Sequence, residues 1–194
     1  MPRIPMPRPV PVFRSNMVTL RPPDPTADAR DYFTMSLDPE MHAGSSGHGP
    51  TSVEEAQEEL ERIVSLPLLS TWMVVDNPSE RIVGRFFLCP EDRDGHRVAG
   101  EGNRMARPYW RKNHCREARA LLFPYIFDTL GADWIETGVW EDNDCAIQSM
   151  EANGFQLERE ELEWNDRSGD EMTMRHYVLT REAWLSTHPV PVRT

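Results

Sequence analysis

Tyr109-Trp110-Arg111-Lys112-Asn113-His114-Cys115-Arg116-Glu117-Ala118 opens the stretch of this chain whose reading decides its fold. A basic loop runs into an apolar helix and then into the alternating strand Trp134-Ile135-Glu136-Thr137-Gly138-Val139. The stretch closes with Asn143-Asp144-Cys145-Ala146-Ile147-Gln148-Ser149-Met150-Glu151-Ala152-Asn153-Gly154-Phe155. There Asp142 or Asn143 caps a helix, Ala146, Ile147 and Met150 form its apolar stripe, and Gly154 ends it. Loop, helix, strand and capped helix in this order make one unit of an α/β domain.

The flanks extend the pattern. Met17-Val18-Thr19-Leu20-Arg21 alternates as a strand does. Asp24 before Pro25 is an N-cap with proline at the first helical position; the helix runs to about Leu37 and stops at Asp38-Pro39. Residues 42–50 are rich in glycine and serine and read as a loop. Ser52-Val53-Glu54-Glu55 is a capping box, after which Val53, Ala56, Leu60, Ile63 and Val64 share one helical face. Strands are expected over 71–75 and 81–88, joined through Asn77-Pro78. A polar turn over 91–96 leads into a further strand over 97–106. Pro124 falls inside the helix expected over 116–130 and should kink it, because proline clashes with the preceding turn near Ala120. Strands over 156–164 and 172–179, joined by a turn over 166–170, read as a hairpin. Residues 1–14 form a proline-rich arm, 15–186 a single domain and 187–194 a tail.

Length and composition bound the function. A chain of 194 residues has room for one domain with a real core. A formal charge of −11 argues against nucleic acid and anionic membrane as partners, since both demand basic surfaces. No apolar run approaches the roughly 20 residues of a membrane span. Met1-Pro2-Arg3-Ile4-Pro5-Met6 lacks the apolar core of a secretory signal, and the expectation is a cytoplasmic protein. Cys89, Cys115 and Cys145 are widely spaced and the six histidines form no HExxH-type pair, so neither a disulfide framework nor a metal site is indicated.

The order β-α-α-β-β-β-α-β-α-β-β, with the loop and helix residues quoted above, resembles the GNAT superfamily of acyl-CoA N-acyltransferases over about 17–184. The branch it is most similar to acetylates ribosomal-protein N-termini and small amines. The resemblance implies a mixed, mostly antiparallel central sheet flanked by helices, with the strands at 97–106 and 134–139 splayed apart. It implies acetyl-CoA as co-substrate in that wedge and no metal. The pantetheine arm would pair with backbone at Met105, Ala106 and Arg107, and would run along Asn143, Ile147 and Met150. Many members carry a tyrosine acid at the position of Met150. The resemblance leaves a homodimer open.

The pyrophosphate loop departs from the family. Its pattern is Gln or Arg, two variable residues, Gly, one residue, then Gly or Ala; here the residues are Trp110, Arg111, Lys112, Asn113, His114 and Cys115, with basic Arg116 following. The chemistry needs backbone N–H groups at a helix N-terminus aimed at phosphate, which glycine allows without a Cβ in the way. Asn113 replaces the central glycine and is well tolerated at positive φ. Arg111 either blocks the loop or clasps phosphate through its guanidinium. The resemblance also points to Glu101, or to Glu141 after the next strand, as the carboxylate that takes a proton from the amine; Gly100 competes with Glu101 for the family's position. The acceptor would be bound by Tyr32, Phe33, His42, His48, Trp164 and His176. Two functions are therefore open: an acyl-CoA-dependent N-acyltransferase for a small-molecule or peptide amine, or a GNAT-fold protein that has lost the cofactor and serves as a metabolite-binding module or a cofactor-independent acid–base catalyst.

Overall fold

The computed structural model describes residues 10–42 and 49–187 and joins eight strands into one sheet. The strands are β1 (Phe13–Arg14), β2 (Val18–Arg21), β3 (Ser70–Asp76), β4 (Arg81–Arg93), β5 (His96–Met105), β6 (Trp134–Trp140), β7 (Gln156–Asn165) and β8 (Asp170–Thr180), in spatial order β1-β2-β3-β4-β5-β6-β8-β7. The helices are α1 (Pro25–Ser36), α2 (Val53–Ser65), α3 (His114–Pro124), α4 (Asp144–Ala152) and α5 (Arg181–Thr187). Every strand pair is antiparallel except β5 with β6. Among the described residues no helix is long and apolar enough to cross a membrane.

Helices cover both faces of the sheet. On one side Tyr32 and Met35 of α1 and Ala56 and Leu60 of α2 pack against Met73 and Ile82. On the other, Leu122 and Phe123 of α3 and Ile147 and Met150 of α4 pack with Trp72, Phe86, Leu88 and Ile135. Each fully buried large apolar side chain contributes about 1.5–3 kcal/mol, so these two clusters hold the layers together. The end of the proline-rich arm joins them: Phe13 lies 5.4 Å from Tyr125 between ring centroids, and Pro11 accepts the Trp72 indole N–H at 2.8 Å.

Local chemistry sets the helix starts. Asp24 Oδ1 accepts the Ala27 N–H at 3.0 Å, and Ser52 Oγ accepts that of Glu55 at 3.1 Å. The Glu55 carboxylate reaches back to Thr51 rather than to Ser52. Pro124 does not simply kink a continuing α-helix: α3 ends there, and Tyr125–Thr129 winds as a π-helix in which the Leu130 N–H reaches the Tyr125 carbonyl at 3.0 Å. The change of coil falls where proline has no N–H to offer the preceding turn.

The polar turn expected over 91–96 is shorter. β4 continues through Arg93, and Asp94 and Gly95, both at positive φ (53° and 85°), make a two-residue hairpin. Pro90 is accepted inside β4 because its nitrogen faces β3, and β3 ends opposite Leu88.

β5 and β6 pair only from Val98↔Trp134 to Gly100↔Glu136, and then part. The Arg97 carbonyl accepts from Asp133 on the β6 side, while the Ala106 N–H donates to Val83 on β4. Strand alternation between these two fixed points turns the backbone of Glu101, Asn103 and Met105 toward β6. The Gly100↔Glu136 pair uses the Glu101 N–H and the Trp110 indole takes the Met105 carbonyl, so the Glu101 carbonyl, both groups of Asn103 and the Met105 N–H face the gap with no strand to meet them.

No atom lies within 4 Å of a Cβ built on Gly95, so Gly95→Ala meets only the backbone cost of a left-handed residue. The expected loss is about 1–2 kcal/mol in urea unfolding; an unchanged midpoint would contradict the two-residue hairpin.

Candidate functional site

The gap between β5 and β6 opens into a cavity of about 600 Å³, within the range of small-molecule sites. Glu101, Asn103 and Met105 wall it from β5, and Thr137, Gly138 and Val139 from β6. The loop before α3 and the start of α4 close the remaining sides through Arg111, Asn113, Arg116, Asn143, Ser149 and Met150.

The loop keeps a glycine-like path without glycine. Arg111 and Asn113 stand at φ 58° and 66°, a region most side chains avoid. Asn113 is the N-cap of α3, yet its side chain takes none of the helix's N–H groups. The first intrahelical bond is Glu117 N–H to Asn113 carbonyl at 2.8 Å. The first-turn N–H groups therefore remain available to an anion, beside the arginines at 111 and 116. Two anchors hold this shape: the Trp110 indole N–H meets the Met105 carbonyl at 2.5 Å, and His114 Nε2 meets Asp76 Oδ1 at 2.9 Å. His114 Nδ1 lies 3.2 Å from the Lys112 carbonyl, so both ring nitrogens face acceptors.

The cavity floor holds a buried ion pair. Arg119, with no exposed surface, directs Nη2 toward the Glu101 carboxylate at 3.4 and 3.5 Å. Its Nη1 donates to Ser149 Oγ on α4 at 2.9 Å, and Asn103 donates to Glu101 at 2.9 Å. Burial pushes the neighbouring Cys115 thiol up, which makes it an inert wall.

The expected residues divide. Glu101, Met105, Arg111, Asn113, Cys115, Arg116, Asn143 and Met150 reach the cavity; Ala106, Arg107, Lys112, His114 and Ile147 do not line it. Lys112 lies 5.9 Å over the Tyr109 ring, and His114 is turned to Asp76. Glu141 is a correction: its exposed carboxylate takes the Thr173 N–H at 3.1 Å, which holds it below the usual carboxylate range and away from the cavity. Tyr32 is buried on Glu59, and burial pushes its hydroxyl up to about 12. Phe33 packs in the α1–α2 cluster, and buried His42 meets the Ser36 carbonyl at 2.9 Å. Trp164 is exposed on β7, and His48 lies outside the described residues. Only His176 approaches, lining a smaller recess that shares Glu101 and Gly138 with the cavity. Its ring, Glu161 and Glu163 bring one ligand atom each within 4.8 Å of one another. Arg159 can only donate to Nδ1 at 3.3 Å, which leaves the proton on Nε2 facing the carboxylates and disfavours a metal there.

Sequence reading missed Arg119, Ser149, Asn103 and Arg104 in the cavity wall. An arginine inside an otherwise apolar helix face was the available signal for Arg119.

A family model described as Acetyltransferase (GNAT) domain matches residues 17–156. No curated protein matches the chain. Among solved structures it is similar to a GCN5-related N-acetyltransferase from Brucella melitensis, with 19% identity and TM-score 0.81, covering 96% of this chain and 85% of that one. It is similar to a ribosomal-protein-S5-alanine acetyltransferase from Vibrio fischeri at 16% identity and TM-score 0.75, covering 90% and 99%. It is also similar to Mycobacterium smegmatis RimJ in complex with CoA-disulfide at 17% identity and TM-score 0.76, covering 89% and 87%.

Two outcomes follow from the polar contacts. Arg119→Met alone strands the Glu101 charge and should cost about 3–5 kcal/mol in urea unfolding, while Glu101→Leu with Arg119→Met recovers most of the loss; additive losses would contradict a coupled pair. Burial opposes ionisation of Asp76, but hydrogen bonds from Ser79 and His114 outweigh it and hold its pKa below the ordinary 3.8. A depressed pKa contributes stability above the unfolded value, lost as pH falls through the folded one. Asp76→Asn should therefore be less stable than the parent near neutral pH, with the gap closing below about 3.8; a gap that widens in acid would contradict this sign.

Proposed function

The chain belongs to the GNAT acetyltransferase family, and on that premise we propose that it transfers the acetyl group of acetyl-CoA to the amine of a small molecule or a peptide. The observation that carries this reading is the row of backbone groups left without a strand beyond Gly100: the Glu101 carbonyl, both groups of Asn103 and the Met105 N–H. An extended amide arm can pair with such a row as a missing strand would. The uncapped α3 N-terminus and the guanidinium groups of Arg111 and Arg116 would hold the phosphates. The left-handed path kept by Arg111 and Asn113 weighs against loss of the cofactor.

When bound, acetyl-CoA supplies the activated thioester. The chain's own residues do the rest. An N–H facing the gap polarises the carbonyl. Glu101, the carboxylate that lines both the cavity and the smaller recess, is placed to take the amine proton directly or through water. Ser149 Oγ accepts from Arg119 and can turn its hydroxyl toward the departing thiolate as a hydrogen-bond donor, with solvent supplying the proton, where Met150 has none to give.

Calorimetry with acetyl-CoA should give saturable binding in the micromolar range, a free energy of about −8 kcal/mol. Asn113→Gly should tighten it and Arg116→Ala should weaken it by about tenfold. Absence of heat up to millimolar ligand would refute the reading.

A further inference from the structure

We propose that the acceptor side of the cavity carries an anion subsite, built from Arg104 with Arg85 behind it, which takes the carboxylate of an amino-acid-type amine. It rests on the acetyl-transfer reading for the amine's role, but its charge chemistry stands on separate residues.

Antiparallel register sets Arg85 of β4 directly opposite Arg104 of β5. Like charges in that position repel and destabilise a sheet. One carboxylate stands between them and neutrality: Glu59 of α2 meets Arg85 Nη1 at 3.3 Å. The same Glu59 oxygen also accepts the Tyr32 hydroxyl at 2.7 Å, and the Arg85 guanidinium sits 5.5 Å from the Tyr32 ring. Arg85 is only 8% exposed, and its Nε has no hydrogen-bond partner. Among the described residues the Arg104 guanidinium makes no side-chain hydrogen bond or ion pair, and it lines the cavity. Burial first, and Arg85 second, pull its pKa down. Two facing guanidinium groups thus have one carboxylate beside them, Glu59, and it pairs with Arg85 alone, within a chain of net charge −11. An anion from outside relieves that imbalance.

Position assigns the anion to the acceptor. Glu101, Asn103 and Met105 point their side chains to the α3 and α4 face, where Arg119 and Cys115 meet them. Arg104 alternates to the other face, toward Tyr32 and Glu59. Phe87 shares that face and covers Gly102, where an added Cβ would fall 2.1 Å from its ring. Arg111 and Arg116, the proposed phosphate holders, belong to the α3 loop and lie outside this group. Arg104 follows Gly102 by two residues, roughly 7 Å along the strand. An amine in the open part of the wedge, beside Gly102, can therefore set a carboxylate several bonds away on the guanidinium, in a bidentate pair. Glu59, the carboxylate whose charge reaches Arg104, is itself engaged by Arg85 and by the Tyr32 hydroxyl.

The test sets each L-amino acid against its amide in a CoA-release assay. In parallel, each N-acetyl-L-amino acid is set against its methyl amide in binding calorimetry, which needs no turnover. Acetyl-CoA affinity is measured on the same proteins. The wild type should prefer the carboxylate member of its best pair by about tenfold. Arg104→Met should lose that preference and Arg104→Lys should keep part of it, with acetyl-CoA affinity within about twofold in all three. Equal or better use of the amides, with acetyl-CoA bound normally, would overturn the subsite and leave acetyl transfer standing. Failure to bind acetyl-CoA would refute acetyl transfer, and the calorimetric pairs then decide the subsite alone. A weakened acetyl-CoA affinity in Arg104→Met would reassign the arginine to the cofactor and overturn the proposal. Should Arg104→Met fail to fold, Arg104→Lys and the wild-type pairs decide.

Discussion

The parting of β5 and β6 beyond Gly100 is the constraint on which the site depends. It leaves the Glu101 carbonyl, both backbone groups of Asn103 and the Met105 N–H without a strand, while the Trp110 indole takes the Met105 carbonyl. Each such group costs about 1–3 kcal/mol if it is buried without a partner. The sheet tolerates them because the gap opens on a cavity of about 600 Å³ where solvent or a ligand can pair with them. Arg119 ties the walls together from below, reaching Glu101 on β5 and Ser149 on α4 from α3. One buried side chain thus links the β5 side of the wedge and α4 to the helix whose N-terminus closes it.

The loop before α3 shows how a backbone shape can outlast the residues that make it easy. A left-handed arginine at 111 carries a cost of about 1–2 kcal/mol, and asparagine at 113 carries less. The anchors at Trp110 and at His114 with Asp76 fix the loop on both sides of that strain. What the substitution gains is charge: a guanidinium stands where the family often places no side chain. The acidic exterior and the basic loop are then parts of one design, in which positive charge is concentrated where phosphate would sit.

Much of the fold was legible in local chemistry. Asp24-Pro25, Ser52 and Asn143 announced three helix starts, because a cap is a contact between near neighbours in sequence. The central strand and hairpin followed from period-two alternation. The Asp94-Gly95 turn was also there to be read, but the polar run over 91–96 hides how far β4 continues, and Arg93 pairs with His96 across the two turn residues. Pro124 was read as a kink, whereas the turn after it changes helix type, which depends on packing around Ile126 and Phe127. The site was legible on its backbone side and opaque in its polar pairs. Arg119 meets Glu101 across 18 positions and Ser149 across 30, and His114 meets Asp76 across 38. No spacing rule announces contacts at that range. Tyr32 and His42, offered as acceptor contacts, are held by Glu59 and Ser36, and only the folded chain reveals that those partners claim them first.

Amide hydrogen exchange at Asn103 and Met105, with and without saturating acetyl-CoA, reads the proposed pairing at the atoms concerned. Exchange at those amides whose N–H faces the gap should slow by about tenfold or more when acetyl-CoA is present, while surface amides on β7 stay unchanged. Saturable binding that leaves both amides exchanging as before would place the ligand elsewhere and contradict the role given to the open edge of β5.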